Sequence, residues 1–175
     1  MEIQKLRTER KYEGQVFDVA KVYVRLPDGR ERGYDLVEHG NSVTIIPVTE
    51  DGKIYFVTQH RIGAGQSLLE LPAGVLDGDE DPRIAANREL QEEIGKAAGE
   101  LLALGGFYLA PGYTDEYMYV FLAKNLLDSA LDPDEDEFLE VTKMTISEVY
   151  QKAAAGEIHD GKTLASLILA QPHLK

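Results

Sequence analysis

Glu89, Glu92 and Glu93 crowd into a five-residue span directly behind Arg88, and Gly95 follows two positions later. On a helix, which turns about 100° per residue, the three acids fall in one narrow arc beside an apolar arc of Ala86, Leu90 and Ile94. Carboxylates at i, i+3 and i+4 repel one another by roughly a few tenths of a kcal/mol per pair when solvated, and by more when partly buried. Arg88 can offset only part of that. The residues alone leave two readings open. A charge run is commonly a solvated helix face. Alternatively a hard cation neutralises the cluster, since Mg²⁺ takes oxygen ligands and tolerates a site that keeps several waters. The chain has no cysteine, so any metal must sit on oxygen or histidine.

The elements that must carry these residues can be read from caps and alternation. Asp81 is an N-cap with Pro82 at the first helical position, and Gly95 is placed to stop the chain, so a helix is expected over 82–94. Residues 15–26 and 32–39 alternate as two strands around the turn PDGRE. Residues 42–50 and 53–60 flank Asp51-Gly52, which predicts a tight hairpin. LLELPAG (68–74) reads as a short strand running into a loop. Further strands are expected at 100–109, 116–123 and 138–145. A helix begins near Ser147, and another after Asp160 carries Leu164, Leu167 and Ile168. Strands on both sides of a central helix imply an α/β sandwich with a mixed sheet and not a doubly wound parallel one.

A chain of 175 residues with 43% hydrophobic content supports one substantial core. No apolar run is long enough to span a membrane, and the N-terminal stretch is charged where a signal peptide is apolar, so a soluble cytoplasmic protein is expected. The net charge of −13 argues against nucleic-acid binding through a basic surface. It would also repel phosphate substrates unless a bound cation reversed the field locally.

The wider spacing narrows the choice. Gly74, five residues, Glu80, seven residues, then Arg88-Glu89-Leu90-Gln91-Glu92-Glu93-Ile94-Gly95 resembles the signature of the Nudix hydrolases. One position departs: Lys96 stands where that signature has an aliphatic residue. The resemblance implies a Nudix-type α/β/α sandwich over 41–175, with Mg²⁺ as cofactor and Mn²⁺ as its substitute. It makes Glu89 and Glu93 direct metal ligands, Glu92 a ligand directly or through water, and the Ala73 carbonyl a further ligand. Arg88 would orient the glutamates, Gly74 would let the backbone approach the metal, and Glu80 would hold the loop to the helix.

Residues outside the box resemble the ADP-ribose pyrophosphatase group within that family. Pro111 in LAPGYTDE stands where that group has Pro-Gly, aromatic, x, Asp-Glu, which makes Pro111 and Glu116 substrate-binding candidates. TQHRIGAG implies that Arg61 reaches substrate phosphates, and GEIHDGKTLASLILA matches the group's C-terminal stretch. Glu135 in the acidic loop DPDEDEFLEV takes the position of the general base, and Glu137 could assist it. The N-terminal residues 1–40 resemble antiparallel strands that exchange between two subunits of a homodimer and complete the partner's adenine pocket, with Phe17 preferred over Tyr12 as the stacking aromatic. Many relatives have Arg-Glu where this chain has Tyr34-Asp35, which leaves the terminal sugar open. The implied activity is hydrolysis of ADP-ribose or a related nucleoside diphosphate sugar. The alternatives are another nucleoside diphosphate derivative (GDP-mannose, a dinucleoside polyphosphate, NADH) and a nucleotide-sensing module that binds without cutting.

Overall fold

The computed structural model describes residues 2–132 and 138–174. The chain divides into two compact units: Met1–Asn41 with Tyr108–Tyr117, and Ser42–Phe107 with Met118–Lys175.

The first unit is an antiparallel sheet of β1 (Gln4–Glu13), β2 (Phe17–Arg25) and β3 (Glu31–His39), in that order. The expected β2–β3 hairpin forms, with Phe17 opposite His39 and Arg25 opposite Glu31. It holds because the alternation of β2 buries Ala20 and Val24. β1 is a strand that no apolar alternation announces, since nearly all of its residues are exposed. The segment 108–117 joins this unit, where sequence alone assigned it to the residues after 40. The Val37 N–H donates to the Tyr113 carbonyl at 2.7 Å, and the His39 N–H to Asp115 Oδ1 at 2.8 Å.

The second unit contains, in chain order, β4 (Ser42–Pro47), β5 (Lys53–Arg61), β6 (Gln66–Glu70), β7 (Ala73–Val75), α1 (Pro82–Ile94), β8 (Lys96–Tyr108), β9 (Tyr117–Asp128), β10 (Glu140–Thr145), α2 (Ile146–Ala154) and α3 (Gly161–Ala170), with a 3₁₀ turn at Gln171–His173. One sheet is mixed, ordered β7-β4-β9-β8, with β4 parallel to β9 and antiparallel to β7. The other is antiparallel, ordered β10-β5-β6. β4 is buried along its whole length, as a strand with both faces covered must be.

The hairpin expected around Asp51-Gly52 is corrected by this topology. The turn itself forms, with Gly52 at φ +74 and the Thr49 N–H on the Lys53 carbonyl at 2.8 Å. Beyond a single bridge, Val48 to Ile54, the two strands part and enter different sheets. The turn signal is local, whereas β4 takes its ladder partners from the distant β7 and β9.

Side-chain alternation then makes a three-layer sandwich. On one side Val43, Ile45, Tyr55, Val57 and Phe121 pack against Ala85, Ala86, Leu90 and Ile94 of α1. On the other, Ile46, Ile54, Phe56, Val120 and Leu122 pack against Val149 of α2 and Leu167 and Ala170 of α3. Burying Leu90 and Ile94 contributes about 1.5–3 kcal/mol each, against roughly 0.5 kcal/mol for a solvated like-charged pair and more for a buried one. The ends of α1 are fixed as the sequence predicts: Asp81 accepts the Arg83 N–H at 2.8 Å, and Gly95 takes φ +67 with its N–H on the Leu90 carbonyl. Among the described residues no helix is long and apolar enough to cross a membrane.

Candidate active site

The acidic arc of α1 does not face water. Glu89 and Glu93 are each only 6% exposed, which rules out the solvated-face reading for those two. The short strand β7 lies against them: the Ala73 N–H donates to Glu93 Oε2 at 3.2 Å. At Gly74 a Cβ would overlap the Glu89 carboxylate, so the close approach requires a residue without one. This gives the glycine a role in this structure, next to a candidate ligand.

Arg88 holds the arc together. Its Nη1 donates to Glu89 Oε1 at 2.7 Å and to Glu92 Oε2 at 2.9 Å. Its Nη2 donates to Glu80 Oε2 and to the Val75 carbonyl, both at 3.1 Å. One rigid fork thus ties two candidate ligands to the loop before the helix. Burial alone would lower the guanidinium's pKa, but the Glu80 hydrogen bond, the Glu89 charge and the Glu92 hydrogen bond outweigh it and hold the group above its ordinary value. Reciprocally, the Arg88 hydrogen bond holds the Glu80 carboxyl below its ordinary value, helped by the Asp77 N–H. Glu80 has the loop-holding part expected of it.

Among the described residues, no three carboxylates or imidazoles converge as a ready metal cage. The donor set nevertheless fits a hard cation: Glu89, Glu92 and Glu93 are hard oxygen donors within one helical turn, two of them buried, with the backbone of β7 in contact.

Arg61 sits at the end of β5 and forms a two-point fork with Glu70, Nε to Oε1 at 2.8 Å and Nη2 to Oε2 at 2.7 Å. That hydrogen bond raises the Arg61 pKa against the effect of burial, and the charges of Glu70, Asp160 and Glu93 add to it. Glu70 and Lys162, which also bonds Glu70, were missed by sequence reasoning. The available signal was an acid inside the apolar run LLELP together with the Asp160-Gly161-Lys162-Thr163 stretch that caps α3.

The Lys96 departure is accommodated at the C-terminal end of α1, where its ammonium pairs with Asp128. Gln91 bonds the Ser129 hydroxyl at 2.8 Å, and its carbonyl accepts the Leu131 N–H at 3.1 Å. The chain entering the acidic loop is therefore fastened to α1. Glu135 and Glu137, the base candidates, lie outside the described residues.

Phe17, Pro111 and Glu116 belong to the first unit. Phe17 is 43% exposed, with the Tyr12 ring 6.4 Å away, so the two aromatics weighed for stacking are neighbours. Pro111 is exposed in the turn where Tyr113 and Thr114 N–H groups donate to the Ala110 carbonyl. Glu116 is half-buried, 3.8 Å from His39 Nδ1. Tyr34 lies under the Arg32 guanidinium at 5.1 Å, and Asp35 lies 3.6 Å from Lys21.

The model of the NUDIX domain matches residues 38–167. The chain is 36% identical to the ADP-ribose pyrophosphatase of Bacillus subtilis (strain 168), over 93% of this chain and 89% of that protein. It is 35% identical to the methanol dehydrogenase activator of Bacillus methanolicus, over 93% and 89% respectively. The crystal structure of an ADP compounds hydrolase superposes with a TM-score of 0.88, covering 99% of this chain and 95% of that one at 24% identity, a likeness of fold.

Proposed function

This chain belongs to the NUDIX domain family, and we propose that it is a Mg²⁺-dependent hydrolase of ADP-ribose or a related nucleoside diphosphate sugar, acting in the cytoplasm. The observation that carries the reading is the set of buried glutamates on α1 facing β7, with Arg88 bridging Glu89 and Glu92. The name of the Bacillus subtilis relative supports the substrate class.

In this reading Glu89, Glu93, Glu92 and the Ala73 carbonyl hold Mg²⁺, and Mn²⁺ is its substitute. The bound cation would supply neutralisation of the diphosphate and Lewis-acid polarisation of its oxygens. Arg88 keeps the carboxylates aimed, and Arg61 binds the phosphates. Glu135 removes a proton from the attacking water, with Glu137 assisting. The water oxygen bonds one phosphorus as the bridging P–O bond breaks, and the bridging oxygen leaves with the other phosphate. ADP-ribose then gives AMP and ribose 5-phosphate. Phe17 stacks on the adenine bound by the partner subunit, while Pro111 and Glu116 bind substrate. The exposed edge strand β1 supports a homodimer built by strand exchange, because a long unpaired edge invites pairing with another chain.

The test is product identity: ADP-ribose with Mg²⁺ should yield AMP and ribose 5-phosphate, and EDTA should stop the reaction. Full turnover after exhaustive chelation would overturn the metal assignment.

A further inference from the structure

Glu70 is a carboxylate with 1% of its side chain exposed, lying outside the glutamate box. Both of its oxygens are taken. Arg61 occupies Oε1 and Oε2 through its fork, and the Lys162 ammonium also bonds Oε2. Lys162 donates further to Asp160 Oδ2 at 3.0 Å. The same Asp160 oxygen accepts the Thr163 N–H at 2.9 Å and the Thr163 hydroxyl at 2.6 Å, and Thr163 Oγ1 in turn accepts the Leu71 N–H at 2.8 Å. Strand β6 and the start of α3 are thereby stitched together around one buried acid.

Stability is a poor reason for such a network, since a buried ion pair is commonly no better than well-packed apolar side chains. Orientation is a better one. The two-point fork fixes the plane of the Arg61 guanidinium. It uses Nε and Nη2 and leaves Nη1 outside the fork, on a side chain that is still 43% exposed. With Glu70 as its only partner, Arg61 would be formally neutralised. Lys162 shares the Glu70 Oε2 that the fork uses, so that oxygen is divided between two cations, while Asp160 balances the lysine's own charge. The Glu93 charge acts on Arg61, which relates this group to the glutamate cluster.

We propose that Glu70 and Lys162 are positioning residues for diphosphate binding, Glu70 setting the orientation of the Arg61 guanidinium and Lys162 countering the charge that Glu70 brings. The proposal rests on the reading that Arg61 binds substrate phosphates.

The experiment is steady-state kinetics of the full chain with ADP-ribose and Mg²⁺, alongside thermal melts, on Arg61→Ala, Glu70→Gln, Lys162→Met, Lys162→Arg and the Arg61→Ala/Glu70→Gln double variant. Glu70→Gln and Lys162→Met should each raise KM by about tenfold, the scale of one lost charge-assisted contact, with kcat within about threefold. Lys162→Arg should return KM to near the wild-type value. In the Arg61→Ala background, Glu70→Gln should raise KM no further, because the group it orients is gone. A wild-type KM in Glu70→Gln and Lys162→Met, or fully multiplicative effects in the double variant, would overturn the proposal and leave the network a structural clasp. If Glu70→Gln does not fold, the Lys162→Met and Lys162→Arg pair decides: elevation by one and rescue by the other supports the proposal, and equal KM values refute it. A wild-type KM in Arg61→Ala would instead strike down the underlying phosphate role, an outcome separate from failure of the positioning role alone.

Discussion

Replacing Arg88 by alanine probes the glutamate cluster most directly, because stability should report the electrostatics independently of turnover. The Arg88 side chain is 24% exposed, and its partners Glu89, Glu80 and Glu92 are 8%, 13% and 19% exposed. Removing one member of a fully buried ion pair costs about 3–5 kcal/mol, whereas a solvent-exposed pair contributes about 0–1 kcal/mol. A fork with three largely covered partners lies between these limits, so Arg88→Ala should lose about 2–3 kcal/mol in EDTA. For a chain of this size that corresponds to a fall in Tm of roughly 4–12 °C. Urea unfolding followed by circular dichroism measures the loss. Arg88→Lys should recover only about half, having the charge without the planar fork. Adding Mg²⁺ to Arg88→Ala should restore part of the stability, since a cation bound by the folded state alone stabilises it by mass action. A loss below about 0.5 kcal/mol in EDTA would place these contacts with ordinary surface pairs and remove the argument that the acids are held against their own repulsion.

Gly74→Ala pushes a methyl group into the Glu89 carboxylate, so kcat should fall by about 10²-fold, the scale of an ångström-sized misplacement, while stability falls by about 1–3 kcal/mol; unchanged kcat would show that Glu89 need not stay where it is. Glu80 has a folded-state pKa below its ordinary 4.5, so its contribution is fully present above that value and is lost as pH falls through the folded pKa. Wild type should therefore exceed Glu80→Gln in urea midpoint at neutral pH, and the gap should close in acid; a gap independent of pH would refute the linkage. Glu93→Gln should weaken Mg²⁺ binding in calorimetric titration and also lower kcat. Glu135→Gln should leave metal affinity intact and lower kcat by about 10²–10⁴, the share of a general base, and a larger fall in Glu137→Gln would transfer that role.

Local signals in the sequence located α1 well. Asp81, Pro82 and Gly95 mark its ends by chemistry that acts within a few residues, and the Ala86, Leu90 and Ile94 stripe fixes its buried face. The parts of Arg88 and Glu80 were legible only through the signature that the stretch from Gly74 to Gly95 resembles, which holds both as fixed positions. Partners distant in the chain were not legible. Nothing near Asp51-Gly52 says that β4 will lie parallel to β9, more than 70 residues later, with Ser42 opposite Met118. β1 was hidden because a nearly fully exposed edge strand has no buried face to write an alternation. Glu70 and Lys162 are 92 positions apart, and each has an ordinary local explanation until the fold brings them together.

The charge balance of the second unit sets what a phosphate substrate would meet. On the acidic arc of α1, Arg88 lies within ion-pair distance of four carboxylates, Asp77, Glu80, Glu89 and Glu92, and Glu93 adds a further buried acid to the arc. At the end of β5 two cations, Arg61 and Lys162, are matched by two carboxylates, Glu70 and Asp160. Neither group offers a surplus of fixed positive charge, and the chain as a whole carries −13. A diphosphate approaching such a surface is repelled unless divalent cations first occupy the carboxylates, and those cations then attract the substrate from the same place that repelled it. Substrate affinity should therefore be gated by the metal. KM for ADP-ribose should rise steeply as free Mg²⁺ is lowered below the level that saturates the glutamates, and Glu93→Gln should move that threshold to higher Mg²⁺. A KM constant across the range in which kcat titrates with Mg²⁺ would mean that the fixed side chains bind the diphosphate without help, contrary to the charge balance around Arg88 and Arg61.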